Sequence, residues 1–590
     1  MNIFKKVWNK VADRLRTMPE RRMLLILGFL TGLASGLAAV VLKKFIVLIE
    51  TGLASVIKLP FNLDLLIFPG VGLLLSYLFV KFAVKDDISH GVTKVLLAIS
   101  RNESQIKHHN IWSSIAASAL TIGFGGSVGA EAPIVYAGAA IGSNMARDLK
   151  LPQRDITILL GCGAAGAISG IFKAPLAGVA FTLEILMFNI SMTSILPILI
   201  STITATVTSM LLLGENVVFA SSVEKFAMAN IPWYLVLGVV CGAVSLYFMR
   251  TTLFLEDRIK KISNPYVRWI ICAAGLGALI YIFPPLFGEG YGSLTNLLNN
   301  EAGQVVSQSY FMRYVDSAWG SVLVFVAVMV LKVLAMCLTN AGGGVGGTFG
   351  PTLFVGGIAG FVLARLLNMS GLAVPEANFV LVGMGGLMAG VMQAPLTSIF
   401  LIAEITGGYQ LLVPLIITSS ISFATIRSVE QYSIYTKRLA KSGDLITHDS
   451  DKAVLTLLKT SDFIEVDFVT MRTGQTLGDI VEAIKRKTGR NLFPEIDGDN
   501  VFQGVIYFDD IRKIMFDQSL YDKVTVESLM KPLSVYVTSD ETMGSVMNKF
   551  EDTGAWNLPV LDAENRYLGF VSRSRIISAY RNQLKEVSHD

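Results

Sequence analysis

Charge is scarce in this chain. Only 16% of its 590 residues are Asp, Glu, Lys or Arg, against roughly 25% in ordinary soluble proteins. That shortage, with 52% hydrophobic residues and a mean hydropathy of +0.57, excludes a wholly soluble protein and leaves a polytopic membrane protein. Cysteine is scarce too. Cys162, Cys241, Cys272 and Cys337 are scattered through apolar segments. They form neither a disulfide framework nor a metal-ligand spacing and read as small buried packing residues, so no metal site is expected. The net charge of +4 is small for the length and gives no reason to expect nucleic acid. A cleavable signal peptide is not evident. Residues 1–22 carry Lys5, Lys6, Lys10, Arg14, Arg16, Arg21 and Arg22 against Asp13 and Glu20. The positive-inside rule puts this basic amphipathic segment on the cytoplasmic membrane surface.

What is abundant is apolar sequence. Runs long enough to cross a bilayer stand at 23–42, 65–84, 195–214, 231–249, 319–338 and 411–426. Others, at 112–146, 155–188, 340–366 and 378–405, are broken by Gly and Pro. Lipid tolerates such breaks only where protein buries them, so these runs predict broken helices. The stretch after the last span is basic again (Arg427, Lys437, Arg438, Lys441), which puts both termini on the cytoplasmic side and makes the number of crossings even.

Two internal repeats organise the chain. In the membrane region "GAEAP" at 129–133 has a counterpart in "GTFGP" at 347–351. Gly166, Gly170, Ala174, Pro175, Leu176 and Glu184 align without a gap to Gly386, Gly390, Ala394, Pro395, Leu396 and Glu404. Duplicated halves, often inverted, are common in transporters, and their substrate sites lie near mid-membrane where broken helices meet. In the soluble tail, Pro494 to Gly504 has the same spacing as Pro559 to Gly569, in units that read helix, strand, turn, strand, helix.

From Asn110 to Ala146 the one formally charged side chain is Glu131, in "GGSVGAEAPIVYAG". A Gly-rich loop followed by Pro reads as a helix start, where free N–H groups and the positive end of the helix dipole favour an anion. "AGGGVGGTFGP" at 341–351 repeats the logic, and "ISHGVTKVLLAI" at 88–99 is a third polar turn opening an apolar helix. Partial charges hold a small anion without trapping it, as conduction requires. Glu131, ionised, would compete with that anion; protonated, it could swing away, which makes it gate and proton carrier at once. The bland alternative is a structural acid paired with a cation.

These residues resemble a known family. "GSVGAEAP", "GGVGGTFGP", the two "APL…E" helices and "SIYTKRL" after the last span are similar to the CLC chloride channels and proton–chloride antiporters, over about residues 25–436. The tail resembles a pair of cystathionine-β-synthase (CBS) domains. The resemblance implies a homodimer in the lipid bilayer, with duplicated, inverted halves and chloride as the substrate. It puts Glu131 at the gating glutamate, and Thr348 and Phe349 where backbone N–H groups hold the central anion. Tyr435 falls at the tyrosine that closes the inner side, with Tyr432 a competitor for that place. His90 and Gly91 fall in the first anion loop; His90 could serve the anion or cap its loop and point away.

Departures from the family pattern matter. "GAEAP" replaces the usual "GREGP", so Ala130 stands for a basic residue, and an upstream lysine is replaced near Ser114. Antiporters usually carry a second acid where this chain has Ile185, beside Glu184, which is the remaining candidate for an internal proton path. The expected boundaries are 1–22, a membrane domain over 23–436 (repeats about 23–215 and 230–436), a linker at 437–462, and CBS units at 463–518 and 524–582. Asp510 and Ser572 are the residues left for an adenine nucleotide, each in an incomplete motif. The expected function is proton-coupled chloride exchange across a bacterial inner membrane, with a passive voltage- or pH-gated channel as the alternative and nitrate as an alternative substrate. A CBS-regulated cation transporter would need clustered membrane acids, and only isolated ones are visible. An enzyme is not expected, since no metal-ligand or nucleophile constellation stands out.

Overall fold

A computed structural model describes residues 18–56, 63–101, 103–186, 192–215, 219, 223–307, 317–442, 458–486 and 491–579. Most of the basic N-terminal segment, residues 1–17, and most of the 437–462 linker lie outside the described residues. The chain forms two compact units, Met1–Leu445 and Ile446–Asp590.

In the first unit, the first half runs α1 (Glu20–Val56), α2 (Leu63–Phe79), α3 (Gly91–Arg101), α4 (Asn110–Gly123), α5 (Glu131–Asp148), α6 (Gln153–Phe172), α7 (Pro175–Glu184) and α8 (Met192–Leu213). The second half runs α9 (Ile231–Lys260), α10 (Pro265–Ile282), α11 (Tyr291–Leu298), α12 (Ala302–Ser307), α13 (Ala318–Ala341), α14 (Phe349–Met369), α15 (Glu376–Met392), α16 (Pro395–Ile405) and α17 (Leu412–Arg427), followed by α18 (Ile434–Ser442). Among the described residues, eight helices are long and apolar enough to cross a membrane. Each expected span lies on one of them or on α17, and each broken run does break. The break between α6 and α7 falls at Lys173 (φ 58°), and its counterpart between α15 and α16 at Gln393 (φ 53°). The chain reverses its twist there and restarts with Pro at the first helical position. One apolar helix, α10, was not expected as a span.

The two halves are related by a local twofold. Gly129 and Gly347, equivalent in the repeat, exchange both backbone hydrogen bonds, at 3.0 and 2.7 Å. Thr121 Oγ1 accepts from Val345 N (3.0 Å), and its counterpart Thr339 Oγ1 accepts from Ser127 N (3.1 Å). Further on, the C-terminal end of α7 meets the start of α16, and the C-terminal end of α16 meets the start of α7. Equivalent helices lying side by side and antiparallel are what an inverted repeat produces.

Helices α5, α6, α14 and α15 are almost wholly buried and form the interior. Around them, apolar side chains face outward, among them Phe45, Leu48, Leu211, Phe254, Ile270 and Leu323. In water such a surface would be costly, but in lipid it is not.

The second unit repeats a parallel pair joined to an antiparallel one. Strands β2 (Met471–Arg472), β3 (Leu492–Ile496) and β4 (Phe502–Tyr507) form one sheet. Strands β5 (Val537–Thr538), β6 (Asn557–Leu561) and β7 (Tyr567–Ser572) form the other, extended by β1 (Ile464–Glu465). Pro494 pairs with Val505 and Pro559 with Phe570, and each hairpin shifts register at the same place. The two turns meet through an antiparallel bridge between the equivalent residues Val501 and Arg566.

The packing crosses the boundaries expected from sequence. Residues 459–465 attach to the second sheet, since Lys459 bridges Thr542 and β1 pairs with β7. Val526 packs in the first sheet's core, and Lys531 pairs with Val505. The two repeats of the tail exchange flanking segments, which a linear division at 463 and 524 cannot express.

Candidate anion and proton site

Three helix starts converge in the interior. Gly125 (φ 96°) and Gly343 (φ 104°) occupy equivalent turns that only glycine enters without strain. They turn the chain into the loops ahead of α5 and α14. The third start, α3, packs so closely that a Cβ on Gly91 would lie 2.3 Å from the carbonyl oxygen of Ala132, in the first turn of α5. The N–H groups of these helix starts therefore meet away from solvent.

Glu131 opens α5 and is 1% exposed. Its Oε2 accepts from Gly350 N at 3.3 Å, in the first turn of the other half's helix α14, and its Oε1 accepts the hydroxyl of Tyr291. Among the described residues its hydrogen-bond partners are an amide and a hydroxyl, and Lys43 of α1 attracts it through charge without a hydrogen bond to it. The carboxylate thus sits on amides at the interface of the halves, where the sequence argument put an anion.

Thr348 and Phe349 are buried at the start of α14. Thr348 Oγ1 lies 3.3 Å from the Tyr435 hydroxyl, and Tyr435 is 2% exposed. Its competitor Tyr432 is half-buried. His90 adopts φ 54° immediately before α3. Its Nε2 lies 3.9 Å from Glu256 Oε1, beside the Arg438 Nη2–Glu256 Oε1 pair at 2.6 Å. This nitrogen faces a carboxylate, so an anion role would fall to Nδ1.

Glu184 has a definite structural use. Its oxygens accept from Leu396 N (2.9 Å), Thr397 N (2.7 Å) and Thr397 Oγ1 (2.7 Å) at the start of α16. Glu404 does the same for Leu176 N (3.0 Å) and Ala177 N (2.9 Å) at the start of α7. Each acid caps the opposite half's broken helix, which satisfies amides that membrane burial would leave unpaired. An internal proton path through Glu184 competes with this reciprocal cap. Glu184→Ala and Glu404→Ala are expected to destabilise the protein about equally, by roughly 1–3 kcal/mol each, read as thermal stability in detergent. A loss of proton coupling in the Glu184 variant alone, at unchanged stability, would assign it to the path instead.

A profile described as "Voltage gated chloride channel" matches residues 71–427. The chain belongs to that family. It is similar to the "Voltage-gated ClC-type chloride channel ClcB" of Citrobacter koseri, 30% identical over 55% of this chain and 75% of that protein. It is also similar to the "H(+)/Cl(-) exchange transporter ClcA" of Cronobacter sakazakii, 27% identical over 67% of this chain and 84% of that protein. Among solved structures, a slow cyanobacterial Cl-/H+ antiporter shares its fold, with TM-score 0.61, 22% identity, and coverage of 72% of this chain and 99% of that one. A eukaryotic CLC transporter aligns with TM-score 0.59 and 16% identity over 93% of this chain and 97% of that one.

Within this CLC fold, several side chains at the site escaped the sequence reading. Tyr291, Glu289 and Lys332 all approach from the second half. Glu289 Oε1 accepts from Ala130 N at 3.0 Å. Lys332 is fully buried in α13, with Nζ 2.8 Å from Gly288 O and 4.8 Å from the Phe354 ring centroid. A lone lysine inside an apolar span was the signal for Lys332. Nothing local marked Glu289 or Tyr291, because their contacts with residues 130 and 131 span about 160 positions.

In the tail a "CBS domain" profile matches residues 526–582. Asp510 pairs with Lys531 at 2.7 Å, and Ser572 Oγ lies 2.9 Å from Ser574 Oγ. Arg575, at the position of the missing acid, lies 3.8 Å from Glu465. Burial pushes the Glu495 carboxyl above its usual range. Among the described residues its Oε2 has no hydrogen-bond partner, at the strand position where the second repeat has Val560.

Proposed function

We propose that this protein exchanges chloride for protons across a membrane, with Glu131 as gate and proton carrier. What supports it most is the hydrogen bond from Gly350 N to Glu131 Oε2, 3.3 Å long. The acid rests on the start of the opposite half's helix, so an arriving anion and the carboxylate contend for one set of donors. In this reading the Thr348 and Phe349 amides hold the central anion, with Gly91 and His90 beside it. The Tyr435 hydroxyl, bonded to Thr348, closes the inner side. The transporter named as a proton–chloride exchanger in Cronobacter supports coupling.

Two copies form the working unit, with both termini on the cytoplasmic face of a bacterial inner membrane. The tail is a pair of CBS units that regulates or dimerises. An adenine nucleotide would meet Ser572 on one side, and on the other Asp510, whose charge Lys531 partly neutralises.

A passive chloride channel is the second reading. Ile185, 4% exposed, favours it, because an apolar residue stands where antiporters of this family usually have an acid. Chloride and pH recorded together from proteoliposomes decide between them. Exchange predicts a reversal potential that shifts when a proton gradient is imposed at fixed chloride. A reversal potential that follows chloride alone would establish the channel.

A further inference from the structure

The loop between α10 and α11, residues 283–290, clasps the gate loop of the first half. Ser127 Oγ donates to Leu286 O at 2.7 Å, and Gly288 N to Gly125 O at 3.2 Å. A Cβ on Gly125 would lie 2.1 Å from the Phe287 ring. From another side, buried Lys332 holds the carbonyls of Gly288 (2.8 Å) and Leu286 (3.4 Å). This clasp brings Glu289 to the amide of Ala130, the N-cap residue of α5, at 3.0 Å. Two residues later the same segment supplies Tyr291, whose hydroxyl goes to Glu131.

One helix junction is therefore served by two carboxylates. Glu131 sits on Gly350 N, and Glu289 sits on the amide immediately before Glu131. That Ala130 N–H is one of the donors that make a helix start attractive to an anion. A carboxylate on it is an anion on a tether. Like charges sharing a site disfavour joint ionisation, so their titrations are linked. The charged and titratable groups facing Glu289 are Lys43 and Glu50 from α1, Glu131 from α5, Tyr291 from α11 and Lys332 from α13.

We propose that Glu289 is a second proton-accepting carboxylate of the transport pathway, a tethered anion on the Ala130 amide that must be protonated or displaced before a halide reaches Glu131 from the Tyr291 side. The inference rests on the reading of Glu131 as gate. It also gives the site a local negative group at the position next to Ala130, which replaces the basic residue usual in the family motif.

Glu289→Gln separates charge from scaffolding, since the amide oxygen of Gln can still accept from Ala130 N. The experiment measures chloride flux from proteoliposomes in the Glu131→Gln background. Burial raises the Glu289 carboxyl far above the usual carboxylate range, so the titration window is high: between about pH 10 and about pH 5, flux in Glu131→Gln is expected to rise about threefold as Glu289 takes up its proton. The Glu131→Gln/Glu289→Gln double variant is expected to be flat. A flat profile in Glu131→Gln alone, or an undiminished rise in the double variant, would overturn the proposal. If the Gln variant does not yield monodisperse protein, Glu289→Ser removes the same charge and carries the same expectation. Proton movement that survives in Glu131→Gln would overturn the gate assignment instead, and it is read on the pH electrode rather than from the chloride profile.

Discussion

Glu131→Gln is expected to reduce proton movement by about a hundredfold or more, to the leak of protein-free liposomes, while chloride continues to cross. The substitution keeps the volume of the side chain and an oxygen to accept the Tyr291 hydroxyl. It removes the one property that proton transfer needs, a group that gains and loses a proton. It also removes the charge that contends with chloride for the amides around Gly350, so the anion pathway is relieved of its competitor. The partners of Glu131 decide that this is a fair substitution. Were the acid held by a cation, losing its charge would leave a buried unpaired ion and unfold the site. Its observed hydrogen-bond partners are a hydroxyl and a backbone amide. Simultaneous chloride and pH recording gives the answer. Undiminished proton flux in the variant would remove Glu131 from the coupling step.

Much of this architecture was legible because its signals are local. A break such as "FKAP" or "MQAP" encodes itself, since a residue before Pro resists the helical region and Pro suits a helix start. The repeat was legible because those breaks recur in order. Its inversion was not, because antiparallel placement of α7 and α16 appears only when Glu184 reaches Leu396 and Glu404 reaches Leu176. The helix α10 escaped because it has 18 residues and carries Arg268 in its first turn. Glu131 stood out as a lone acid in an apolar run, whereas Glu289 sits in an ordinary-looking Pro- and Gly-rich turn and gains meaning only through Ala130. The tail shows the same division. Its strand–turn–strand spacing was readable, but the exchange of β1 into the second sheet is a long-range pairing with no periodic trace.

The inverted repeat also predicts where the protein is least tolerant. Helices α5 and α6 cross at Gly138 and Gly163, where an added Cβ would lie 2.2 and 1.9 Å from the other's carbonyl oxygen. In the second half, α14 and α15 cross at Gly356 and Gly383, with 2.4 Å in both directions. One turn along, a Cβ on Gly142 would lie 1.8 Å from Leu159 O, and one on Gly360 would lie 1.9 Å from Phe379 O. Without a hydrophobic drive between helices in lipid, close backbone approach through small residues is what holds such pairs. The obstructing atoms are backbone, so no rotamer change relieves the clash and the helices must separate. Gly142→Ala and Gly360→Ala are each expected to cost at least about 3 kcal/mol, the upper end for overpacking, and to abolish most monodisperse protein. Gly52 supplies the control, since among the described residues nothing lies within 4 Å of its added Cβ. There Ala replaces Gly within helix α1, and a gain of up to about 1 kcal/mol is expected from helix propensity. Thermal stability in detergent checks all three. Because the halves share one geometry, the two crossings should fail together; a Gly360→Ala protein as stable as wild type beside a collapsed Gly142→Ala would mean that the second half's helices are free to part.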